Sequence, residues 1–286
     1  MDQIINLFND IYWNDKEFVF KALKMDRKSF QYASAKLRSD REFVFEALKR
    51  GGSLFYVSEE LKNNKEIVLE AVKNDANNFK YASEKLKKNK EFVIETVRAN
   101  VWTFSQVSDK FKNDKEIFIE AVKKNWWYLD YASEKIKNDK EIVLEAIKCY
   151  SEALQFASGK IQNDKEFVLK AIKKYGSRLT YVSKELKNDK EIVLEAVKKN
   201  GFSLQYVTEK LKNDKDIVYA AVKENGYSLN YVNEKLRNNM KFIIIALKNI
   251  YFIDYKKINK YRSFFVPIAF NKKFLKKSFH KILELY

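Results

Sequence analysis

The sequence predicts an all-α fold: a right-handed-type α-solenoid of about nine helical repeats of about 25 residues, with a C-terminal helical cap. A short polar motif returns at a nearly constant interval, and each copy precedes an apolar run with helical spacing. Six glycines and one proline in 286 residues are too few for the turns that sheets and long loops require. We expect an N-terminal cap at residues 1–12, the repeat array at 13–245 and a basic C-terminal helical cap at 246–286.

The repeating motif is Asn-Asp-Lys-Glu with small variations. Its copies are Asn14–Glu17, Ser39–Glu42, Asn63–Glu66, Lys88–Glu91, Asn113–Glu116, Asn138–Glu141, Asn163–Glu166, Asn188–Glu191 and Asn213–Asp216. The step is 25 residues, except for 24 between the second and third copies, and a degenerate copy follows at Asn238–Lys241. Self-similarity at this period is typical of solenoids, whose units bury their apolar faces against their neighbours.

Residues 188–212 illustrate the predicted unit. Asn188 or Asp189 is expected to cap a long helix, and Glu191 is placed to reach back as the acid of a capping box. The helix of about three turns that follows is apolar over more than half of its circumference, so it is expected between two neighbours. Gly201 is expected in the left-handed conformation that ends many helices.

One or two short helical segments are predicted to complete each unit, and the last of them is expected to begin at a side-chain cap. The first position of this last segment carries a good N-cap residue in every copy: Ser34, Ser58, Ser83, Ser108, Ser133, Ser158, Ser183, Thr208 and Asn233. A tyrosine stands two residues earlier in seven copies, and its apolar neighbours lead us to interpret it as part of the core. These tyrosines are Tyr32, Tyr56, Tyr81, Tyr131, Tyr181, Tyr206 and Tyr231.

The pairing of NDKEIVLEAVKKNG at 188–201 with SLQYVTEKLKND at 203–214 resembles the repeat family catalogued as domain of unknown function 4116, over about residues 13–245. The family name implies no activity. Such repeats occur in proteins of host-associated bacteria, pathogens and large viruses, which implies a role in biological conflict as an effector or inhibitor. Gln106 and Phe156 depart from the pattern, since they replace the usual tyrosine.

The chain is strongly basic, with a net charge of +17. This charge favours a polyanionic partner, such as nucleic acid, an anionic membrane surface or an acidic protein. Most of the excess is lysine, which lacks the bidentate geometry of arginine, and an AT-rich genome would produce the same bias. Both origins of the charge stay open at this point.

Catalytic chemistry has few candidate residues in this sequence. The only histidine, His280, lies near the C-terminus, and the only cysteine, Cys149, lacks a neighbouring histidine that would activate it. There is no glycine-rich phosphate loop. We therefore expect no catalytic residues, no metal and no cofactor. The N-terminus lacks the features of a secretory signal, so we expect a cytoplasmic protein, with leaderless secretion into a host as an open alternative.

An aromatic cluster departs from the repeat pattern in the middle of the array. Trp102 lies in one unit, and Trp126, Trp127 and Tyr128 lie at the corresponding turn of the next, with Asp130 close behind. Trp126 stands at the position of Gly201, so turn geometry does not explain it. These side chains either fill a gap between repeats or form a partner-binding site, since tryptophan and tyrosine are common in binding hot spots.

An acidic row occupies one position of the long helix. Its members are Glu46, Glu70, Glu95, Glu120, Glu145 and Glu195. Stacked repeats would align these carboxylates into a ladder that attracts a basic partner. Alternatively, each pairs with a lysine one turn later, such as Glu120 with Lys124 or Glu195 with Lys199.

The C-terminal segment is the most basic part of the chain. Apolar residues alternate with lysines at helical spacing, which predicts a basic amphipathic helix. The lysines that could bind a polyanion are Lys272, Lys273, Lys276, Lys277 and Lys281. This helix could cap the solenoid or meet a phosphate backbone or an anionic membrane surface.

Two functional hypotheses follow from the sequence. The first is a non-enzymatic scaffold that binds a macromolecular partner through its repeat surface, and the expected class of partner is a protein. The residue before the repeat tyrosine varies freely between units, as expected for an exposed position that sets specificity. The competing hypothesis is binding of RNA or DNA through lysines of the array and the basic tail. The sequence does not predict the oligomeric state.

Overall fold

The computed structural model describes residues 11–176 and 178–254. These residues are helical with short turns and include no strand, which confirms the all-α repeat solenoid. The chain divides into two compact units, unit 1 at Met1–Cys149 and unit 2 at Tyr150–Tyr286, and each is described by itself. The basic tail with its predicted polyanion-binding lysines, and residues 1–10 of the predicted N-terminal cap, lie outside the described residues.

Unit 1 alternates long α-helices with 3-10 helices and short α-helices. Its α-helices are α1 (Lys16–Met25), α2 (Ala35–Ser39), α3 (Arg41–Lys49), α4 (Lys65–Asn74), α5 (Glu84–Lys87), α6 (Lys90–Ala99), α7 (Asp109–Lys112), α8 (Lys115–Lys124), α9 (Glu134–Lys137) and α10 (Lys140–Cys149). Its 3-10 helices are Arg27–Tyr32, Leu54–Tyr56, Leu61–Asn63, Ala76–Tyr81, Val101–Gln106 and Trp126–Leu129. Each repeat thus contains one long helix and two short helical segments, as predicted.

Unit 2 continues the same order of elements. Its α-helices are α11 (Gly159–Gln162), α12 (Lys165–Tyr175), α13 (Lys190–Lys199), α14 (Lys215–Glu224), α15 (Glu234–Arg237) and α16 (Met240–Asp254). Its 3-10 helices are Ser151–Phe156, Leu179–Tyr181, Leu186–Asn188, Gly201–Tyr206, Leu211–Asn213 and Gly226–Tyr231. The last helix, α16, crosses residue 245, where the sequence places the end of the array.

The long helices begin at side-chain caps. Asp189 Oδ1 accepts hydrogen bonds from the backbone amides of Glu191 (3.0 Å) and Ile192 (3.1 Å), which confirms it as the N-cap of α13. The predicted capping box is wrong: the Glu191 carboxylate lies 3.1 Å from Lys165 Nζ of the preceding repeat. A neighbouring cation stabilises the glutamate there in place of a free amide.

The core is formed by two adjacent pairs of positions on most of the long helices. In α13 these are Ile192 and Val193, then Ala196 and Val197 one turn later, and all four are buried. Leu194 is only half-buried. The corresponding residues of α8, such as Phe118 and Ala121, are buried in the same way, so neighbouring repeats share one apolar layer.

Gly201 does not end α13 in a left-handed conformation, so that expectation is wrong. The described glycines with positive φ are Gly51 (89°) and Gly176 (69°). Gly201 is the buried first residue of a 3-10 helix, and a Cβ there would lie 2.6 Å from Ser228 Oγ and closer still to the carbonyl oxygen of Ala221. Close approach of the next repeat therefore requires glycine at this position.

The predicted caps of the short segments are confirmed in part. Side-chain oxygens of Ser34, Ser83, Ser158, Ser183 and Asn233 accept the expected amide hydrogen bonds. At Ser108 and Ser133 the segment begins at the predicted residue without such a bond. The Ser133 hydroxyl donates to Asn113 Oδ1 at 2.5 Å, as the Ser34, Ser83 and Ser183 hydroxyls donate to the equivalent asparagines, which fixes the turn that precedes the long helix.

The repeat tyrosines are not core residues throughout, and for three of them that interpretation is wrong. Tyr32 and Tyr131 are 58% and 76% exposed, and Tyr206 is also exposed. The others are half-buried, and some hydroxyls reach a neighbouring repeat, as when Tyr56 donates to Gln31 Oε1 at 3.4 Å. These rings cover the edge of the 3-10 helices, where neighbours enclose them only on one side.

Candidate partner-binding surface

The predicted aromatic site lies on two neighbouring 3-10 helices of unit 1, Val101–Gln106 and Trp126–Leu129. Asn100 Oδ1 accepts from the Trp102 amide (3.2 Å), and Asn125 Oδ1 accepts from the Trp127 amide (3.1 Å), so both helices begin with the same side-chain turn. This local geometry places Trp102 and Trp127 at equivalent positions of successive repeats.

Both of these tryptophans are exposed. Trp102 is 63% and Trp127 is 44% exposed, whereas Phe104 and Leu129 of the same helices are buried. A 3-10 helix has three residues per turn, so one row of side chains faces the core while another faces solvent. Trp102 and Trp127 therefore do not fill a gap between repeats, and burial in the core does not explain them.

Trp126 and Tyr128 are half-buried and help to hold this surface in place. The rings of Trp126 and Trp127 meet edge to face with centroids 5.2 Å apart. The Tyr128 hydroxyl donates to the carbonyl oxygen of Val101 in the preceding repeat (3.1 Å), and burial raises the pKa of this phenol. Asp130, the remaining predicted site residue, is half-buried just beyond.

The exposed aromatic side chains recur along the 3-10 helices of unit 1. We call the set that lies on or directly after these helices the aromatic row: Tyr32, Phe55, Trp102, Trp127 and Tyr131. Unit 2 carries Phe202 and Tyr206 at corresponding places. Groups of exposed apolar side chains mark interaction sites in many proteins, so the row is the main candidate for a binding surface.

A groove of about 550 Å³ opens beside the aromatic row, between the repeats that contain Trp102 and Trp127. Ser105, Tyr128 and Tyr131 line it, together with the rings of Phe104 and Phe118. The Phe104 ring meets Tyr128 at 4.8 Å and Phe118 at 5.3 Å, both edge to face. The floor of the groove is therefore apolar and closely packed.

The small side chain of Ser105 explains why the groove lies at this place. In an earlier pair of repeats, Phe55 occupies the position of Ser105 and packs on Tyr81 at 5.1 Å between ring centroids. Ser105 offers no such contact to Tyr131, whose hydroxyl instead accepts a hydrogen bond from Trp127 Nε1 at 3.3 Å. Sequence reasoning missed Ser105 and treated Tyr131 as core; the only signal was a small residue at a variable position.

Comparison with protein families gives one match, which recurs along the chain. The family model described as Domain of unknown function (DUF4116) matches residues 15–62, 40–87, 64–112, 89–137, 114–162, 139–187, 164–212, 189–237 and 214–256. These overlapping matches cover most of the chain. The chain belongs to the DUF4116 family.

Comparisons of the chain with curated proteins and with solved structures found no match. With the exception of the last match, each DUF4116 match begins at the N-cap of one long helix, spans the following repeat boundary and ends with the last short segment of the next repeat. The family unit thus contains two successive repeats and the interface between them. This interface is also where the groove forms.

Lysines of the DUF4116 repeats are paired with acids in a regular way. Lys90 Nζ lies 2.9 Å from Asp114 and 3.1 Å from Glu116 of the next repeat, and Lys115 bridges to Asp139 and Glu141 likewise. Partial burial acts to raise the pKa of Asp114, but hydrogen bonds from Lys90 and from backbone amides outweigh it and lower that pKa. The first lysine of several long helices is thus engaged between repeats, as Lys165 and Lys190 also show.

Most members of the acidic row pair with a basic side chain of their own long helix. Glu120 pairs with Lys123 at 3.0 Å and Glu195 with Lys198 at 3.2 Å, three residues on and not four as predicted, whereas Glu46 pairs with both Lys49 and Arg50. Arg98 of the preceding repeat adds a second bond to Glu120 at 2.9 Å. A continuous ladder of free carboxylates therefore does not form, and this surface has little net negative charge to attract a basic partner.

Two further properties of the described residues bear on function. No helix among them is long and apolar enough to cross a membrane. Within the same ranges, His, Cys, Asp and Glu side chains form no group of three or more that could hold a metal ion.

Proposed function

We propose that this chain is a non-enzymatic binding protein whose aromatic row engages a protein partner, with Trp102 and Trp127 at the centre of the contact. The observation that carries the proposal is the exposure of two large tryptophans at equivalent positions of successive repeats. Truncation of such residues at interfaces commonly costs about 2 kcal/mol or more of binding free energy. A protein of this kind acts by occupying its partner's surface, as an effector or inhibitor does.

The pairing of lysines supports a protein partner over nucleic acid. Several lysines at the start of the long helices bridge to the next repeat, and several near their ends pair with the acidic row. Paired lysines release few counterions from a phosphate backbone, so they contribute little to nucleic-acid affinity. The competing nucleic-acid function then depends on the remaining lysines and on residues 255–286.

The carboxylates of the array support a non-enzymatic role because they already form helix caps and ion pairs. Asp114 caps α8 and binds Lys90, and Glu120 is held by Arg98 and Lys123. Lowered pKa values at Asp114 and Glu120 keep both ionised. A general acid needs the opposite shift, toward neutral pH.

The test is capture of partners by the full chain from a native lysate, followed by mass spectrometry, with the double variant Trp102→Ala/Trp127→Ala. Phe202→Ala is the matched control, because Phe202 is the exposed aromatic at the same repeat position in unit 2. We expect the double variant to lose its protein partner while the control retains it.

Nuclease treatment of the lysate separates the two functional classes. Capture that survives nuclease and disappears in the folded double variant supports the proposal. Equal capture by the double variant, or capture that nuclease abolishes, contradicts it. A gel shift with RNA and DNA at two salt concentrations then tests the nucleic-acid function directly, since that function predicts a steep loss of affinity with salt.

A further inference from the structure

In three repeats the last short segment is a 3-10 helix of three residues with a lysine in the middle. This lysine is Lys62 in the second repeat, Lys187 in the seventh and Lys212 in the eighth, and all three side chains are half-buried. Lys62 pairs with Glu59 at 2.7 Å, and Lys212 pairs with Glu209 at 2.8 Å. Residues three positions apart therefore face each other in this segment.

The seventh repeat has a second lysine, Lys184, where the other two repeats have the acid. Neither Lys184 nor Lys187 forms an ion pair with another described residue. Partial burial and the positive charge of Lys184 both lower the pKa of Lys187. Two like charges thus lie together at a place where the related repeats hold an ion pair.

The neighbouring acid Glu185 does not replace the missing carboxylate. Glu185 corresponds to Glu60 of the second repeat, and both side chains are exposed. In the second repeat two successive residues are acidic, and Lys62 pairs with Glu59 and not with Glu60. The position of Glu185 therefore faces away from the lysine.

Partial burial distinguishes Lys187 from the lysines that extend into water. Its Nζ donates to the carbonyl oxygen of Thr180 at 2.7 Å, and the side chain is half-buried there. A charge that has lost part of its hydration interacts more strongly with a counterion than an exposed charge does. An ammonium group has three N–H donors, so Lys187 keeps two and Lys184 keeps three for such an anion.

We propose that Lys184 and Lys187 form a binding site for a phosphate monoester dianion. A monoester carries a charge of about −1.5 to −2 at pH 7 and three strong acceptor oxygens, so it matches two lysines in charge and in hydrogen bonds. A carboxylate carries one charge and leaves one lysine without a counterion. The site lies in unit 2, whereas Trp102 and Trp127 lie in unit 1, so the inference goes beyond the proposed function.

Phosphorylated protein side chains and small phosphorylated molecules both present this group, and binding measurements distinguish the two sources. Nucleic acid fits less well. A phosphodiester carries a single charge, and further phosphates follow it along the strand. The exposed carboxylate of Glu185, directly after Lys184, repels them.

Lysine footprinting of the full chain by acetylation and mass spectrometry tests the site, because it reports on each ammonium group separately. The probes are a capped peptide with one phosphoserine between alanines, and glycerol phosphate. The controls are the same peptide with glutamate and a thymidine dinucleotide, all at one ionic strength. We expect the two monoesters to slow the acetylation of Lys184 and Lys187, while Lys212, which is already paired, reacts at an unchanged rate.

An exchange of two neighbouring residues removes the site without altering the net charge. Lys184→Glu/Glu185→Lys gives the seventh repeat the order that Glu209 and Lys210 have in the eighth, so Lys187 gains an acid partner. We expect the phosphopeptide to bind this variant about tenfold more weakly, since one charge-assisted hydrogen-bond donor is lost and a carboxylate takes its place.

The reverse exchange is the matched test in the eighth repeat. Glu209→Lys/Lys210→Glu also leaves the net charge unchanged, and it places two lysines together beside Thr208. Lys212 should then become protected by the monoesters as Lys187 is in the parent chain. Circular dichroism checks that both variants keep the helical content of the parent chain.

Several results would overturn the inference. Equal apparent affinity of the parent chain and the Lys184→Glu/Glu185→Lys variant excludes the site. Equal protection by the glutamate peptide or by the dinucleotide excludes the preference for a dianion. Stronger protection by the phosphopeptide than by glycerol phosphate assigns the site to a modified protein, and the reverse order assigns it to a small ligand.

Discussion

Gly201→Ala is a sharp test of how successive repeats pack. Gly201 is buried at the start of a 3-10 helix, and its amide donates to the carboxylate of Glu224 in the next repeat. A Cβ at this residue would lie 2.6 Å from Ser228 Oγ and closer still to the Ala221 carbonyl oxygen, which belongs to the rigid backbone of α14. The added methyl group therefore requires the two repeats to move apart.

The expected magnitude follows from overpacking. Addition of a methylene-sized group to a well-packed core costs about 1–3 kcal/mol of stability. Because the added group at residue 201 would meet backbone atoms, we expect the cost of Gly201→Ala to lie toward the upper end of this range. Gly159→Ala is the matched control, since a Cβ at Gly159 meets nothing within 4 Å. Because Gly159 is the first residue of α11, alanine there is expected to stabilise the chain by up to about 1 kcal/mol.

The assay is native-state hydrogen exchange of the α13 and α14 amides, with urea denaturation followed by circular dichroism. We expect Gly201→Ala to lower the free energy of opening for these helices by about 2–3 kcal/mol, while Gly159→Ala lowers none of them. Equal protection in the two variants would refute the argument that close approach requires glycine at residue 201.

The remaining predictions concern contacts between repeats in unit 1. Asp114→Ala removes the cap of α8 and the bridge to Lys90, and should lower the free energy of unfolding by about 1–2 kcal/mol in urea titrations. Its control is Asp109→Ala, at an exposed residue, which should lower the free energy of unfolding by less than about 0.5 kcal/mol. The lowered folded-state pKa of Asp114 means that its stabilisation is present above about pH 4 and is lost as pH falls through the folded value. Asp114→Asn, which introduces the cap residue that other repeats carry as Asn64 and Asn89, should therefore show a smaller loss of stability between pH 7 and pH 3 than the parent chain. Tyr128→Phe leaves the carbonyl of Val101 without its donor and should cost about 0.5–1.5 kcal/mol, measured by urea titration.

The repeat and its helices could be predicted because they depend on residues close together in sequence. The interval between motif copies and the acids and amides that cap the helices follow from local rules, and the structure confirms Asp189 as a cap. The role of Gly201 could not be predicted in this way. A left-handed turn and a close approach both require glycine, and only the position of Ala221 in the next repeat distinguishes them.

The exposure of side chains at the candidate site could not be predicted from the sequence for a related reason. Tyr131 has apolar neighbours at the same sequence positions as Tyr81, yet Tyr81 packs on Phe55 while Tyr131 is 76% exposed. The difference lies in a residue 26 positions earlier, Phe55 in one case and Ser105 in the other. In a repeat array the surroundings of each side chain are set by the previous copy, so one small substitution there opens a groove.

The same reasoning changes how the basic charge of the chain is interpreted. Composition alone favours a polyanion-binding surface, but a lysine repeated every 25 residues stands at a fixed distance from acids that repeat with it. The pairs of Lys90 with Asp114 and of Lys123 with Glu120 show how lysines and acids that repeat together neutralise one another. Charge is available to a partner where a lysine has no matching acid. The specificity of such an array therefore resides in departures from its repeat, such as the small side chain of Ser105 beside the groove.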